Sequence, residues 1–266
     1  MLQPTFQLGP VVLSTFGLWC GLSLMAVAWV GRVEFHRRSI ARKHLAIFVI
    51  AVTPIAAAGA SLAHALDFGG WSVLSYWFYA PAVYPGASFL GGALPCWMAA
   101  LVYARVVFGP ATQARVFLDA LAPLILLTYG LGRVGCHLAG HGTCCGGQTD
   151  AWYGVCYPHT VGSMLPVIPM ALVEAALTLL LFSWLWRGRA RHSSPGAVFA
   201  WHVILLGAER LCVEPWRLNP RHALGLTQAQ WISAPLVIVG CAWLWWTSRG
   251  RTAADRPDES RSLVHR

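Results

Sequence analysis

Charge is what this 266-residue sequence has least of. Charged residues make up 11% of it against 57% hydrophobic, whereas a soluble domain carries roughly 25% charged residues. There is too little charge to cover a water-facing surface. The low hydrophobicity that keeps a chain disordered is missing too, and the length excludes a small disulfide-stapled protein. Lysine is nearly absent, since 18 of the 19 basic residues are arginine. A net charge of +9 would suit nucleic-acid binding if the arginines formed a stripe. They lie instead in short clusters between apolar runs, the pattern of loops in a membrane protein. No nucleic-acid partner is expected, and what remains is a polytopic membrane protein.

A membrane span takes about 20 mostly apolar residues. Runs of that kind occur at about 9–31, 45–66, 88–108, 116–134, 165–186, 196–214 and 229–247. The first is read as a retained helix because no basic residue precedes Arg32 and no small-x-small cleavage site follows a short core. The expected fold is therefore all-α and integral to the membrane, with seven transmembrane helices. The segments after the first, third and fifth runs, together with the C-terminal tail, hold 15 of the 19 basic residues, and the opposite side holds only Arg133, Arg210, Arg217 and Arg221. Positive charge is retained in the cytoplasm, which predicts the N-terminus outside and the C-terminus inside. The membrane domain covers 1–247, and 248–266 form a basic cytoplasmic tail. The aromatic, nearly uncharged stretch at about 67–87 suits an amphipathic arm at headgroup depth. The Gly-, Cys- and His-rich stretch at about 135–164 suits a small extracytoplasmic head.

Ionisable residues within spans are costly and point to function. Here His64, Asp67, Arg133, Glu209, Arg210, Glu214 and Arg217 approach the outer ends of their spans, whereas Asp119 and Glu174 stand apart. Arg210, Glu214 and Arg217 follow i, i+4, i+7 spacing and share one helical face. Such a face either ties its helix to a neighbour by a salt bridge or offers planar guanidinium forks to a phosphate. Between Gly130 and Cys136, glycines flank Arg133. They permit either close helix packing or a tight pocket around the charged head. Cys136, His137, His141, Cys144, Cys145, Cys156 and His159 allow a zinc site, a disulfide such as Cys156 with Cys144 or Cys145, or free thiols. No C-x-x-C pair is present, and no metal or organic cofactor is expected.

Five segments, in order from Ser88 to about Trp245, resemble the bacterial prolipoprotein diacylglyceryl transferases. Gly86, Ser88, Phe89, Leu90, Gly91 and Gly92 resemble a G-x-S-F-H-G-G segment. Asp119, Ala122 and Pro123, followed by Gly132, Arg133, Val134 and Gly135, resemble D-x-x-A-P and G-R-x-G-N. Pro169 to Glu174 resembles a degraded H-P-x-Q-L-Y-E. Gly207, Arg210, Glu214 and Arg217 resemble G-x-x-R-x-x-x-E-x-x-R. Leu226 to Gln230 resembles the S-x-x-Q segment that opens the last span. The resemblance implies a seven-helix fold in the bacterial cytoplasmic (inner) membrane, with its active site toward the outer leaflet. It implies transfer of the diacylglyceryl group of phosphatidylglycerol to the lipobox cysteine of a prolipoprotein signal peptide, releasing glycerol phosphate. The same fold and pocket with another acceptor, or lipid binding without catalysis, are the alternatives.

By position, Arg133 matches the arginine that the family uses at the phospholipid headgroup, and Arg210 matches its second essential arginine. Glu214, Arg217, Gly135, Ser88, Gly91 and Gly92 are expected to help bind substrate. The chain departs from the motifs at Leu90, where a His is usual, at Cys136 and Ala139 for two Asn, at Ile168 and Val173, and at Leu206 for Tyr. Proton abstraction is expected to fall to His141 or His137, or to the cationic field alone, which favours thiolate.

Overall fold

The structure is a computed structural model that describes residues 5–8, 11–68, 88–138, 140, 145–157, 165–192 and 194–254. Among these, seven α-helices form the body: α1 Thr15–Arg37, α2 Lys43–Phe68, α3 Phe89–Phe108, α4 Ala111–Leu138, α5 Met170–Gly188, α6 Ala197–Val213 and α7 Gln228–Ala254. Six are long and apolar enough to cross a membrane, and α6 is shorter, at 17 residues. The chain is thus an integral membrane protein.

Two expectations about boundaries are corrected. The first helix starts at Thr15 rather than near residue 9, because Thr5–Leu8 (β1) and Val11–Ser14 (β2) pair as an antiparallel hairpin. The fold is therefore not purely helical. An apolar run reads alike as strand or helix over so short a length, and β-branched Val11 and Val12 favour the strand. The fifth helix starts at Met170 rather than 165, since Pro166 and Pro169 hold the preceding backbone extended.

Helix α4 is the axis of the bundle, with α1, α3, α5 and α6 packed around it. Its residues are the most buried of any span. Helix α2 leans on α3, and α7 on α6. Both contacts are made by small residues that let backbones approach. A Cβ on Gly91 would lie 2.1 Å from the Ala63 Cβ, one on Gly59 would lie 2.5 Å from the Gly91 carbonyl, and one on Gly240 would meet Ile204 at 2.7 Å. Ser88 starts α3 by accepting a hydrogen bond from the Gly91 amide (3.3 Å), and Gly109 at φ 65° ends it.

One end of the bundle is closed by a ring of charge. Glu34, fully buried, accepts from Arg37 (2.6 Å), Arg38 (2.7 Å) and Arg189 (2.9 Å). Asp119 of α4 caps the start of α6, accepting from the Gly196 and Phe199 amides at 2.8 Å each. Gly196 has no side chain to cap its own helix, so a carboxylate from the neighbouring helix takes that place, favoured by the helix dipole. Beneath this ring, Phe35, Phe48, Tyr103, Phe108 and Phe117 form an aromatic core, with Phe35 and Phe117 edge to face at 5.9 Å.

At the other end, the segments around 145–157 and 165–168 pair through bridges of Gln148 and Val155 with Val167. A further bridge joins Gly146 to Arg217. Residues 145–157 fall within the stretch 135–164 expected as a head, of which residues 139, 141–144 and 158–164 lie outside the described residues. The arm at 67–87 lies outside the described residues beyond Asp67 and Phe68, which end α2, and the tail lies outside them from residue 255.

Candidate active site

Helices α4 and α6 run in the same direction, since Asp119 meets the start of α6 and Tyr129 meets Arg210 near its end. Arg133 and Arg210 are thereby delivered to one layer, where both reach the same atom. Arg133 Nε lies 2.7 Å, and Arg210 Nη1 3.3 Å, from Oε2 of Glu174. Tyr129 donates its hydroxyl to that oxygen at 2.8 Å and accepts from Arg210 Nη1 at 3.1 Å. The other carboxylate oxygen, Oε1, accepts from Arg217 Nη1. Glu174 is wholly buried on α5, in a stripe with Ala171, Ala175 and Thr178 that recurs at helical spacing.

A second carboxylate extends the layer. Glu214, also fully buried, accepts from Arg210 Nη2 at 2.5 Å and Asn219 Nδ2 at 2.5 Å, with Arg217 Nε 3.8 Å away. The i, i+4 partnership of Arg210 and Glu214 expected from the sequence is present. The pair belongs to a network that joins α4, α5 and α6. Three guanidinium groups meet two paired carboxylates in a low-dielectric site. Paired guanidiniums stay oriented while retaining donors. Among the described residues, the buried Arg210 Nε has no hydrogen-bond partner. Arg217 and Arg221 also line an open depression of about 480 Å³ with Trp216, Leu218 and Asn219, so the layer reaches a surface cleft.

The remaining candidates fall in different places. Gly135 is buried on α4 half a turn beyond Arg133, and a Cβ on Gly132 would meet nothing within 4 Å, so open space adjoins the arginine. His137 ends α4 with Nδ1 2.8 Å from the Tyr157 hydroxyl of the head. His141 and Cys144 lie outside the described residues. Ser88, Gly91 and Gly92 cap α3 and seat it against α2; that capping and packing is what the structure records of them. Cys136 is half-buried near the end of α4, Cys145 is buried and Cys156 is exposed. Sequence reasoning set Glu174 apart and passed over Tyr129. The signal for both was available: Tyr129 lies one turn before Arg133, and Glu174 is a lone acid inside a span.

The sequence as a whole is similar to known proteins of one family. The family described as prolipoprotein diacylglyceryl transferase matches residues 3–246. A phosphatidylglycerol–prolipoprotein diacylglyceryl transferase of Nitrosomonas europaea is 30% identical, over 91% of this chain and 88% of its own. Its namesake from Pseudoalteromonas atlantica is 28% identical over 94% and 90%, and one from Bordetella avium is 29% identical over 88% and 90%.

Proposed function

The chain belongs to the prolipoprotein diacylglyceryl transferase family, and from that premise we propose that it transfers a diacylglyceryl group from phosphatidylglycerol to the thiol of a lipobox cysteine. The acceptor cysteine belongs to a prolipoprotein signal peptide, and the product that leaves is glycerol phosphate. The observation that carries this reading is the convergence of Arg133 and Arg210, from separate helices, on the Glu174 carboxylate.

The reaction forms a carbon–sulfur bond at the glycerol methylene as the carbon–oxygen bond to phosphate breaks. Negative charge builds on the departing phosphate. Fixed guanidinium donors in a desolvated layer stabilise that charge without reorganising. Arg133 and Arg210 are assigned to the phosphate, with the unmatched Arg210 Nε as one donor to it. Glu214 and Tyr129 hold Arg210 in place, and Arg217 links the layer to the cleft. Gly132 leaves room for the lipid beside the Arg133 backbone. No metal or organic cofactor enters this chemistry.

All seven helices span the bacterial cytoplasmic membrane in this reading, with the N-terminus outside and the Glu34 ring on the cytoplasmic side. The arginine layer then lies at the outer leaflet beneath the head, where a translocated signal peptide presents its cysteine. The excess of basic residues on the Glu34 side supports that orientation.

The test is an assay of the purified full chain with phosphatidylglycerol vesicles and a lipobox peptide, read as a mass gain of one diacylglyceryl group. The native chain adds the group, and Arg133→Ala abolishes the addition while the protein remains folded. Unlabelled peptide with the native chain, or labelling indifferent to Arg133→Ala, rejects the proposal. The apolar, buried Leu90 and Leu206 in the same half of the bundle favour one further reading, a different acceptor. It is recognised by phosphatidylglycerol consumption without labelled peptide.

A further inference from the structure

The arginine layer contains a third buried carboxylate. Glu209 is 5% exposed, and among the described residues neither of its oxygens has a hydrogen-bond partner. Burying a carboxylate without donors is costly. The other acids of the layer are filled: Glu174 by Tyr129 and Arg217, Glu214 by Arg210 and Asn219. Glu209 lies within electrostatic reach of Arg210, Arg133 and Arg217, and of Glu174. It therefore sits in the field of the same cations as the phosphate would, with its lone pairs unspent.

The residues of α3 that lie level with Glu209 are apolar. The tight turn at Gly109 makes α3 antiparallel to α4, and hence to α6. Trp97 of α3 meets His202 of α6 with ring centroids 5.7 Å apart. Seven residues is about two turns, so moving seven along each helix brings Leu90 level with Glu209. The contact of Phe89 with Tyr129 at 4.1 Å, and of Tyr129 with Arg210, fixes the same level independently. Neither Phe89 nor Leu90 can take a proton, the guanidiniums only donate, and the Tyr129 hydroxyl is already donor and acceptor.

We propose that Glu209 is the proton acceptor for the attacking thiol, an inference that rests on the transfer reaction proposed above. The thiol S–H satisfies the orphaned carboxylate on binding. As sulfur bonds to the glycerol carbon its proton passes to Glu209, and the carbon–oxygen bond electrons leave with glycerol phosphate. Glu209 then returns the proton to that phosphate or to water, so charge and atoms balance.

The test compares native chain and Glu209→Gln, each complete and in phosphatidylglycerol vesicles, on lipobox peptides carrying cysteine or selenocysteine. Glu209→Gln lowers kcat for the cysteine peptide by roughly 100-fold or more, the range of general-base effects, with KM for the peptide and phosphatidylglycerol binding retained. The deficit shrinks as pH rises toward the ordinary thiol value of about 8.5, where thiolate forms unaided. The selenocysteine peptide, ionised at neutral pH, recovers most of the rate. Overturning results are a variant within a few-fold of native, an equal loss on both peptides, or lost phosphatidylglycerol binding. A native chain inactive on both peptides overturns the transfer reaction and this assignment together; an active native chain with an indifferent variant overturns this assignment alone.

Discussion

Glu174→Gln is the sharpest perturbation the arginine layer offers. The substitution keeps the shape of the side chain and removes its charge. One oxygen now receives Tyr129 at 2.8 Å, Arg133 at 2.7 Å and Arg210 at 3.3 Å, and the other receives Arg217. A glutamine must turn its NH₂ toward one of those sets, placing donor against donor. Three guanidiniums are then left with one fully paired carboxylate, Glu214. Removing one partner from a buried ion pair costs ~3–5 kcal/mol, against a total stability on the order of 5–15 kcal/mol for a folded domain. The variant should therefore unfold well below the denaturant concentration that native protein tolerates, followed by tryptophan fluorescence in detergent micelles. Adding Arg133→Ala should relieve part of the damage, because it removes a stranded cation. The double variant should be less destabilised than the two single effects added, with coupling of about 0.5–3 kcal/mol. Native-like unfolding of Glu174→Gln, or strict additivity with Arg133→Ala, would refute the claim that this carboxylate organises the layer.

Arg210→Lys keeps the charge but loses the planar fork whose two nitrogens reach Tyr129 and Glu214 separately. Transfer should fall on the order of 10²–10³-fold, as for loss of an anion-stabilising donor, measured by peptide mass gain. Gly91→Ala puts a methyl 2.1 Å from the Ala63 Cβ and 2.8 Å from the Gly59 carbonyl; overpacking should cost about 1–3 kcal/mol in detergent unfolding. Asp119→Asn leaves one acceptor for two amides, Gly196 and Phe199. It should cost about 1–3 kcal/mol, and hydrogen exchange at the first turn of α6 should speed up selectively.

The sequence made some of this legible because it is written in local spacing. The Arg210–Glu214 contact follows from i, i+4 geometry on one helix, and the helices follow from hydrophobic run length. Two arginines near the same ends of their spans were enough to anticipate a meeting. What holds them together was not legible, because Glu174 comes from a third helix whose rotation and depth depend on packing. An isolated acid in a span announces a partner without naming it. The capping of α6 by Asp119 was hidden in the same way, since a helix usually finds its cap within a few residues of its own start. Counting Arg37, Arg38 and Arg189 as loop charges likewise missed Glu34, which collects all three. At the N-terminus an apolar run of β-branched residues reads equally as strand or helix, and the strand pairing prevailed.

Helix α4 is gripped by charge at both extremities, by Asp119 at one and by Arg133 with Tyr129 at the other, whereas α2 and α7 each lean chiefly on a single neighbour. Loss of structure should thus proceed from the rim inward. Under rising detergent or heat, α2 and α7 peel away first, and their amides exchange with solvent earliest. The α4–α5–α6 trio persists as a kernel, so the half of the molecule that would handle the phosphate outlasts the half that meets the bilayer.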